Sequence, residues 1–253
     1  MPIHYDADDG VARITFDDPE NRNAVTMGFA EAFARITRQA VTDASTRLIV
    51  LGAKGPYFSV GGDITEFLAA DQDIRGHLMH ITDLIHMAVR HLSQAPVPVL
   101  VALNGMAAGG GLSIALSGDM LVAKRSARIN SGYTRSGLTP DAGLTWQLPR
   151  LVGHARAFEI MALNETLSAD DAHQLGIIAR VFDDDGFDDE VERIVQRLAS
   201  MPAGVLGSMK QLMRAGASRA LETHLEYEAA AIAQRVTMPE TLDILRTYLP
   251  KNR

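Results

Sequence analysis

Cysteine is absent from the 253 residues, which excludes disulfides, thiolate metal ligands and a cysteine nucleophile, and accords with a reducing cytoplasm. Positive charge is scarce. The 24 Lys and Arg against 31 Asp and Glu leave a net charge of -7, and no basic cluster is able to follow a phosphate backbone, so nucleic acid is a poor partner. The opening MPIHYDADDG lacks the basic start and apolar stretch of a signal peptide, so export is not expected and a cytoplasmic location is. One stretch free of Asp, Glu, Lys and Arg, Leu92 to Gly118, is long enough to span a bilayer. Pro96, Pro98, Asn104, Gly105 and Gly109 to Gly111 interrupt it, so it reads as strand, loop and buried helix.

What is present is apolar: 47% of residues are hydrophobic, enough for a sizeable core in one large domain, or a domain with an appendage. Val11 to Phe16 alternates as a strand does, and Arg47 to Leu51 reads as a second, buried strand. Between them, Val25 to Thr42 places Phe29, Phe33, Ile36 and Ala40 at helical spacing. A second round follows, with a helix from Asp71 to Leu92, a strand from Pro98 to Leu103, a helix from Gly110 and a strand from Met120 to Lys124. That alternation predicts an α/β core. Beyond Phe187 the pattern is helical only, over Asp188 to Ser200, Ala203 to Ala215, Ser218 to Val236 and Pro239 to Tyr248. The chain thus divides into a core, 1–187, and a C-terminal helical region, 188–253, that packs on the core or on a neighbouring subunit.

Two glycine segments are the candidates for chemistry. Phe58 to Ile64 carries Gly61 and Gly62 in a loop where backbone N–H groups can approach a ligand. Asn104 to Gly111 ends a strand and opens an apolar helix, whose first N–H groups lack helical partners and suit a developing negative charge. Its spacing is neither G-x-G-x-x-G nor a P-loop, which disfavours phosphate binding. Ser168 with Asp171 reads as a capping box.

In this order the two segments resemble those of the enoyl-CoA hydratase/isomerase (crotonase) superfamily. Asp17 to Val25 is similar to its early Pro-x-x-x-Asn-Ala segment, and Leu167 to Gly176 to the segment following its active-site region. The resemblance implies a spiral of strand-strand-helix repeats with C-terminal helices that drive assembly into a homotrimer or hexamer. It also implies a coenzyme A thioester as substrate, with no bound cofactor or metal and no membrane partner. The N–H groups of Gly62 and Gly110 would form an oxyanion hole, each donor worth about 2.7–4 kcal/mol to the enolate. Arg22, Ala24, Gly61, Asp63 and Ile64 fall in segments that hold CoA in relatives, Asp63 also suiting a helix cap; Tyr248 and Lys251 fall where the last helix contacts it.

The sequence departs from the hydratase pattern. Hydratases of the family use two glutamates after the Gly-Gly-Gly run; Ser113 and Tyr133 occupy those positions, and neither is a carboxylate able to deprotonate water. A carboxylate appears instead at Asp141, within Thr139-Pro140-Asp141-Ala142-Gly143. This segment resembles the Δ3,Δ2-enoyl-CoA isomerases and the ring isomerases of phenylacetate degradation, where the Asp moves a proton between acyl carbons; Pro-Asp ahead of Gly is also a turn former. An apolar setting for Asp141 is expected from Leu138, Leu144 and Trp146. In the superfamily's aryl-CoA dehalogenases an Asp at this place attacks the ring and a helix histidine activates water, a role His86 stands near, although His77, His80 and His91 share its helix and a solvated or packed role is the simpler one. Double-bond isomerisation is the favoured expectation. Hydratase-like activity, dehalogenation and a non-catalytic acyl-CoA-binding trimer are the alternatives.

Overall fold

The computed structural model describes residues 2–249. Among the described residues ten strands form two sheets. Numbered along the chain they are β1 (Ile3–Asp8), β2 (Val11–Phe16), β3 (Leu48–Ala53), β4 (Tyr57–Ser59), β5 (Val99–Leu103), β6 (Met106–Ala108), β7 (Met120–Lys124), β8 (Arg128–Asn130), β9 (Leu167–Ser168) and β10 (Arg180–Phe182). The larger sheet has the order β1-β2-β3-β5-β7-β10 and the smaller β4-β6-β8-β9. Consecutive strands pass from the large sheet to the small one at β3–β4, β5–β6 and β7–β8 before the chain turns back. This is the strand-strand-helix winding expected, and it stacks the loops after β4, β6 and β8 above one another.

The helices are α1 (Met27–Thr42), α2 (Ile64–Ala69), α3 (Ile74–Gln94), α4 (Gly110–Ala115), α5 (Leu144–Val152), α6 (His154–Leu163), α7 (Ala169–Gln174), α8 (Phe187–Ala199), α9 (Val205–Gly216), α10 (Leu221–Val236) and α11 (Pro239–Thr247). Thr26 starts α1 by accepting the Phe29 N–H at 3.1 Å, which places the helix start two residues later than periodicity alone indicates. The expected helix from Asp71 is also shorter at its start, because residues 71–73 form a 3₁₀ turn ahead of α3. Ser168 and Asp171 form the expected capping box on α7.

α1 and α3 pack together over one face of the large sheet, where Phe16, Phe29, Phe33 and Phe58 are fully buried. Their rings meet edge-on or tilted, with the Phe16 and Phe29 centroids 4.8 Å apart. α8 covers the other face, burying Phe187, Val191 and Val195 against Val11, Leu48, Leu100 and Val122. Strand residues buried on both sides explain the continuous apolar runs of β3 and β5. α9 is anchored by Lys210, 5% exposed, whose Nζ reaches Asp119 at 2.7 Å and donates to the Leu92 carbonyl at 2.8 Å. In contrast, α10 and α11 bury none of their residues, and Leu221, Leu225, Ile232, Leu245, Tyr248 and Leu249 are exposed. No helix among the described residues is long and apolar enough to cross a membrane, and the Leu92 to Gly118 run resolves into the end of α3, β5, β6 and α4.

Candidate active site

The two glycine segments meet. Gly61 adopts φ +84, and a Cβ there would lie 2.8 Å from both the Ala108 carbonyl oxygen and the Gly110 nitrogen, so only glycine permits this approach. Val25 N–H donates to the Gly61 carbonyl at 2.8 Å and Asp63 N–H to the Val25 carbonyl at 3.2 Å, which skips the N–H of Gly62 between them. Gly109, at φ +52, turns the chain into α4, its N–H donating to the Asn130 carbonyl at 3.1 Å. Gly110 is then the first residue of α4, too early for an intrahelical partner. Among the described residues neither the Gly62 nor the Gly110 N–H donates a hydrogen bond, and both residues border the same cavity of about 400 Å³.

The cavity is largely apolar, with Val25, Val60, Phe67, Leu78, Ile81 and Ile85 in its wall. Its polar members gather around Asp141. The Tyr133 hydroxyl donates to Asp141 Oδ1 at 2.6 Å, and the Thr82 hydroxyl lies 3.3 Å from Oδ2. Ser113, fully buried behind the cavity, is 3.1 Å from the Tyr133 oxygen. An ionised carboxylate can only accept, so the single Tyr133 proton goes to Asp141 and the Tyr133 oxygen is left to accept from Ser113. Burial, and then the charge of Asp141, push the Tyr133 hydroxyl well above its ordinary pKa, so it stays a donor. His86 also borders the cavity, and its Nε2 accepts the Ala142 N–H at 3.1 Å.

Other expected site residues fall in different surroundings. Asp63 caps α2, its Oδ1 accepting from the Thr65 and Glu66 N–H groups at 2.9 and 3.2 Å. Ile64 is on the cavity rim and 56% exposed. Arg22 and Ala24 lie beside the Gly61 loop, the Arg22 carbonyl accepting the Val60 N–H at 3.3 Å. Tyr248 is exposed and outside the cavity wall, and Lys251 lies outside the described residues. Of the three apolar neighbours expected for Asp141, Leu138 does border the cavity. Leu144 is buried in the core instead, and Trp146 is half-exposed beneath the Arg150 guanidinium, 3.8 Å from its ring centre. The first residue of a helix and its neighbour two further on take different faces, which separates Leu144 from Trp146.

Thr82 and Phe67 were not singled out by sequence reasoning. Thr82 is one helical turn before His86 on α3, so the two share a face, a signal available once either is placed at the site. Phe67 sits in a helix of six residues, too short for periodicity to reveal, and its ring packs over Gly62. Asp83 borders the cavity as a second carboxylate, but it is exposed at the rim.

Residues 6–243 match the enoyl-CoA hydratase/isomerase family profile. The chain is 34% identical over 220 residues to 1,2-epoxyphenylacetyl-CoA isomerase of Escherichia coli (strain K12), covering 87% of this chain and 84% of that protein. It is 31% identical over 250 residues to 4-chlorobenzoyl coenzyme A dehalogenase-2 of an Arthrobacter species, covering 98% and 91%. Among solved structures, an enoyl-CoA hydratase from Bacillus anthracis superposes with a TM-score of 0.92 at 26% identity, covering 98% of this chain and 96% of that one. With a family match across nearly its whole length and the fold to go with it, the chain belongs to the enoyl-CoA hydratase/isomerase family of acyl-CoA enzymes.

Proposed function

We propose that the protein moves a carbon–carbon double bond within an unsaturated acyl-CoA thioester, with Asp141 as the acid/base and the N–H groups of Gly62 and Gly110 as the oxyanion hole. The observation that carries this reading is the Asp141 carboxylate, held on the cavity wall by Tyr133 and Thr82 in the cavity that Gly62 and Gly110 also border. Removing a proton beside a thioester sends the electron pair toward the carbonyl oxygen, where two unpartnered N–H groups are suited to receive it. The same carboxylate then returns the proton at the other end of the allylic system. One base suffices.

Hydration makes a different demand, a base for water and an acid for carbon. Ser113 and Tyr133 replace the two glutamates of the hydratase pattern, and Tyr133, as a committed donor to Asp141, is no base for water. Dehalogenation needs a histidine lone pair facing water. With Nε2 of His86 accepting the Ala142 N–H, the proton resides on Nδ1 and that nitrogen can only donate. The CoA moiety is assigned to the Arg22, Ala24, Gly61, Asp63 and Ile64 loop, with Tyr248 and Lys251 contributed across a subunit boundary in a homotrimer or hexamer.

The test is incubation with a panel of 3-enoyl-, 2-enoyl- and aryl-CoA thioesters, with products separated by mass and by isomer. Interconversion of 3-enoyl and 2-enoyl thioesters without change of mass is expected. Asp141→Asn, which keeps the shape and removes the base, should still bind while turnover falls roughly 10²–10⁴-fold. Full turnover in that variant, addition of water as the main reaction, or halide release from an aryl thioester overturns the reading. Binding without conversion of any thioester leaves the non-catalytic alternative standing in its place.

A further inference from the structure

The backbone that carries Asp141 is held in a conformation that one of its own residues disfavours. Ala142 has φ +49 and Gly143 φ +86, so two successive residues occupy the left-handed region, which glycine enters freely and alanine does not. Ala142 is also 1% exposed, so its N–H has no ready access to water. A side chain supplies the partner: the ring of His86, far away in sequence on α3, accepts that N–H through Nε2 at 3.1 Å. One helical turn earlier, Thr82 reaches Asp141 itself, 3.3 Å from Oδ2. One face of α3 therefore grips two consecutive residues, the side chain of the first and the backbone of the second.

We propose that His86 is a positioning residue, whose Nε2 fixes the left-handed turn at Ala142 and thereby holds the Asp141 carboxylate against Tyr133 and Thr82. The ring acts as a hydrogen-bond acceptor, in its neutral Nδ1–H tautomer, and transfers no proton. The alternative for a cavity histidine is a general base, and geometry separates the two, since a neutral imidazole has one accepting nitrogen and here the backbone occupies it. The benefit to turnover rests on the isomerase reading above; the control of the turn does not.

Two substitutions separate acceptor from base. His86→Leu removes the acceptor, whereas His86→Gln places an amide oxygen close to the position of Nε2 without any basic nitrogen. With a 3-enoyl-CoA substrate, His86→Leu should lower kcat about 10–100-fold, the usual cost of a misplaced catalytic group, with KM changed by less than about threefold. His86→Gln should recover most of that loss. Adding Ala142→Gly to His86→Leu should recover part, because glycine takes the left-handed turn without help. A second readout needs no turnover. Nitrogen NMR should show His86 protonated on Nδ1 and bare on Nε2, and the Ala142 amide should exchange with solvent much faster in His86→Leu than in His86→Gln or the parent. Nε2 protonation in the parent, or an Ala142 amide equally protected in His86→Leu, overturns the proposal. So does a His86→Gln variant as inactive as His86→Leu while the Ala142 amide stays protected, the signature of a base. If no thioester is isomerised yet the tautomer and exchange results are as expected, the positioning role stands and the isomerase reading falls.

Discussion

Tyr133 and Asp141 form the shortest hydrogen bond of the cavity, 2.6 Å from hydroxyl to Oδ1, with the hydroxyl some 3.8 Å from where a Cβ on Gly110 would stand. The bond joins the Gly110 side of the cavity to its carboxylate side. Because Tyr133 occupies Oδ1 and Thr82 approaches Oδ2 from α3, the carboxylate is clamped in one rotamer, which a loop residue would not otherwise keep.

Removing that clamp should be visible in two ways. Tyr133→Phe keeps the ring and should lower turnover about 10–100-fold with thioester affinity little changed, measured by steady-state kinetics and calorimetry. The variant should also respond differently to alkali. Tyr133 has a folded pKa above its unfolded value, so its stabilising contribution is full below about pH 10, where the unfolded hydroxyl titrates, and is lost as pH rises toward the folded pKa. Denaturation midpoints followed upward from pH 10 should fall more steeply in the parent than in Tyr133→Phe. Equal slopes would show that the hydroxyl is not shielded.

The glycines of the two cavity loops should differ sharply. Gly61→Ala forces a side chain into the left-handed region and brings its Cβ within 2.8 Å of the Gly110 nitrogen, so it should cost at least about 1–2 kcal/mol of stability and abolish turnover. At Gly110 an added Cβ meets nothing closer than 3.8 Å. Gly110→Ala should therefore fold normally with its N–H retained, and lose turnover more than binding, because the added methyl group disturbs the alignment of that N–H with an oxygen on which charge develops. Urea denaturation beside kinetics checks both. A Gly110→Ala protein that folds poorly would contradict the space observed there.

Lys210 and Asp119 make a further stability prediction. Burial pushes the Lys210 ammonium toward a lower pKa and the Asp119 carboxyl toward a higher one, each opposed by the other's charge. Asp119 Oδ2 also accepts the Val99 N–H at 2.8 Å, so the pair ties α9 to the start of β5. Lys210→Met leaves the Asp119 carboxylate, whose side chain is 32% exposed, without its buried partner and should destabilise by about 1–3 kcal/mol. Combining it with Asp119→Asn, which retains an acceptor for Val99, should be less damaging than the single change. Chemical denaturation of the parent and the three variants measures the coupling.

The apolar residues displayed by α10 and α11, among them Leu225, Ile232 and Leu245, are what a subunit interface would cover. Light scattering at micromolar concentration should return the mass of a trimer or a dimer of trimers. A monomer would remove this assignment, and with it the placing of Tyr248 and Lys251 at a neighbour's CoA site.

Periodicity located the long elements well. Val11 to Phe16, α1, α3 and the helices from α8 onward were legible because each buries one stripe or face over several turns or alternations. The first strand, Ile3–Asp8, escaped notice because four of its six residues are polar, charged or aromatic with polar tips on an edge that water reaches. α2 and the short strands of the small sheet escaped because two to six residues carry no period. Chemistry divides in the same way. The sequence by itself determined which functional groups exist: glycines where backbones must touch, no glutamate at 113 or 133, and one aspartate in a Pro-Asp-Ala-Gly turn. Only the tertiary structure decided what each group does to its neighbours. Winding the chain through two sheets stacks the loops after β4 and β6, so Gly61 meets Gly110 nearly fifty residues on. Packing α3 across the same cavity puts Thr82 on Asp141 and His86 on Ala142. Hydrogen bonds between residues so far apart leave no periodic trace in a sequence, because their partners are set by which elements pack together and not by spacing along the chain.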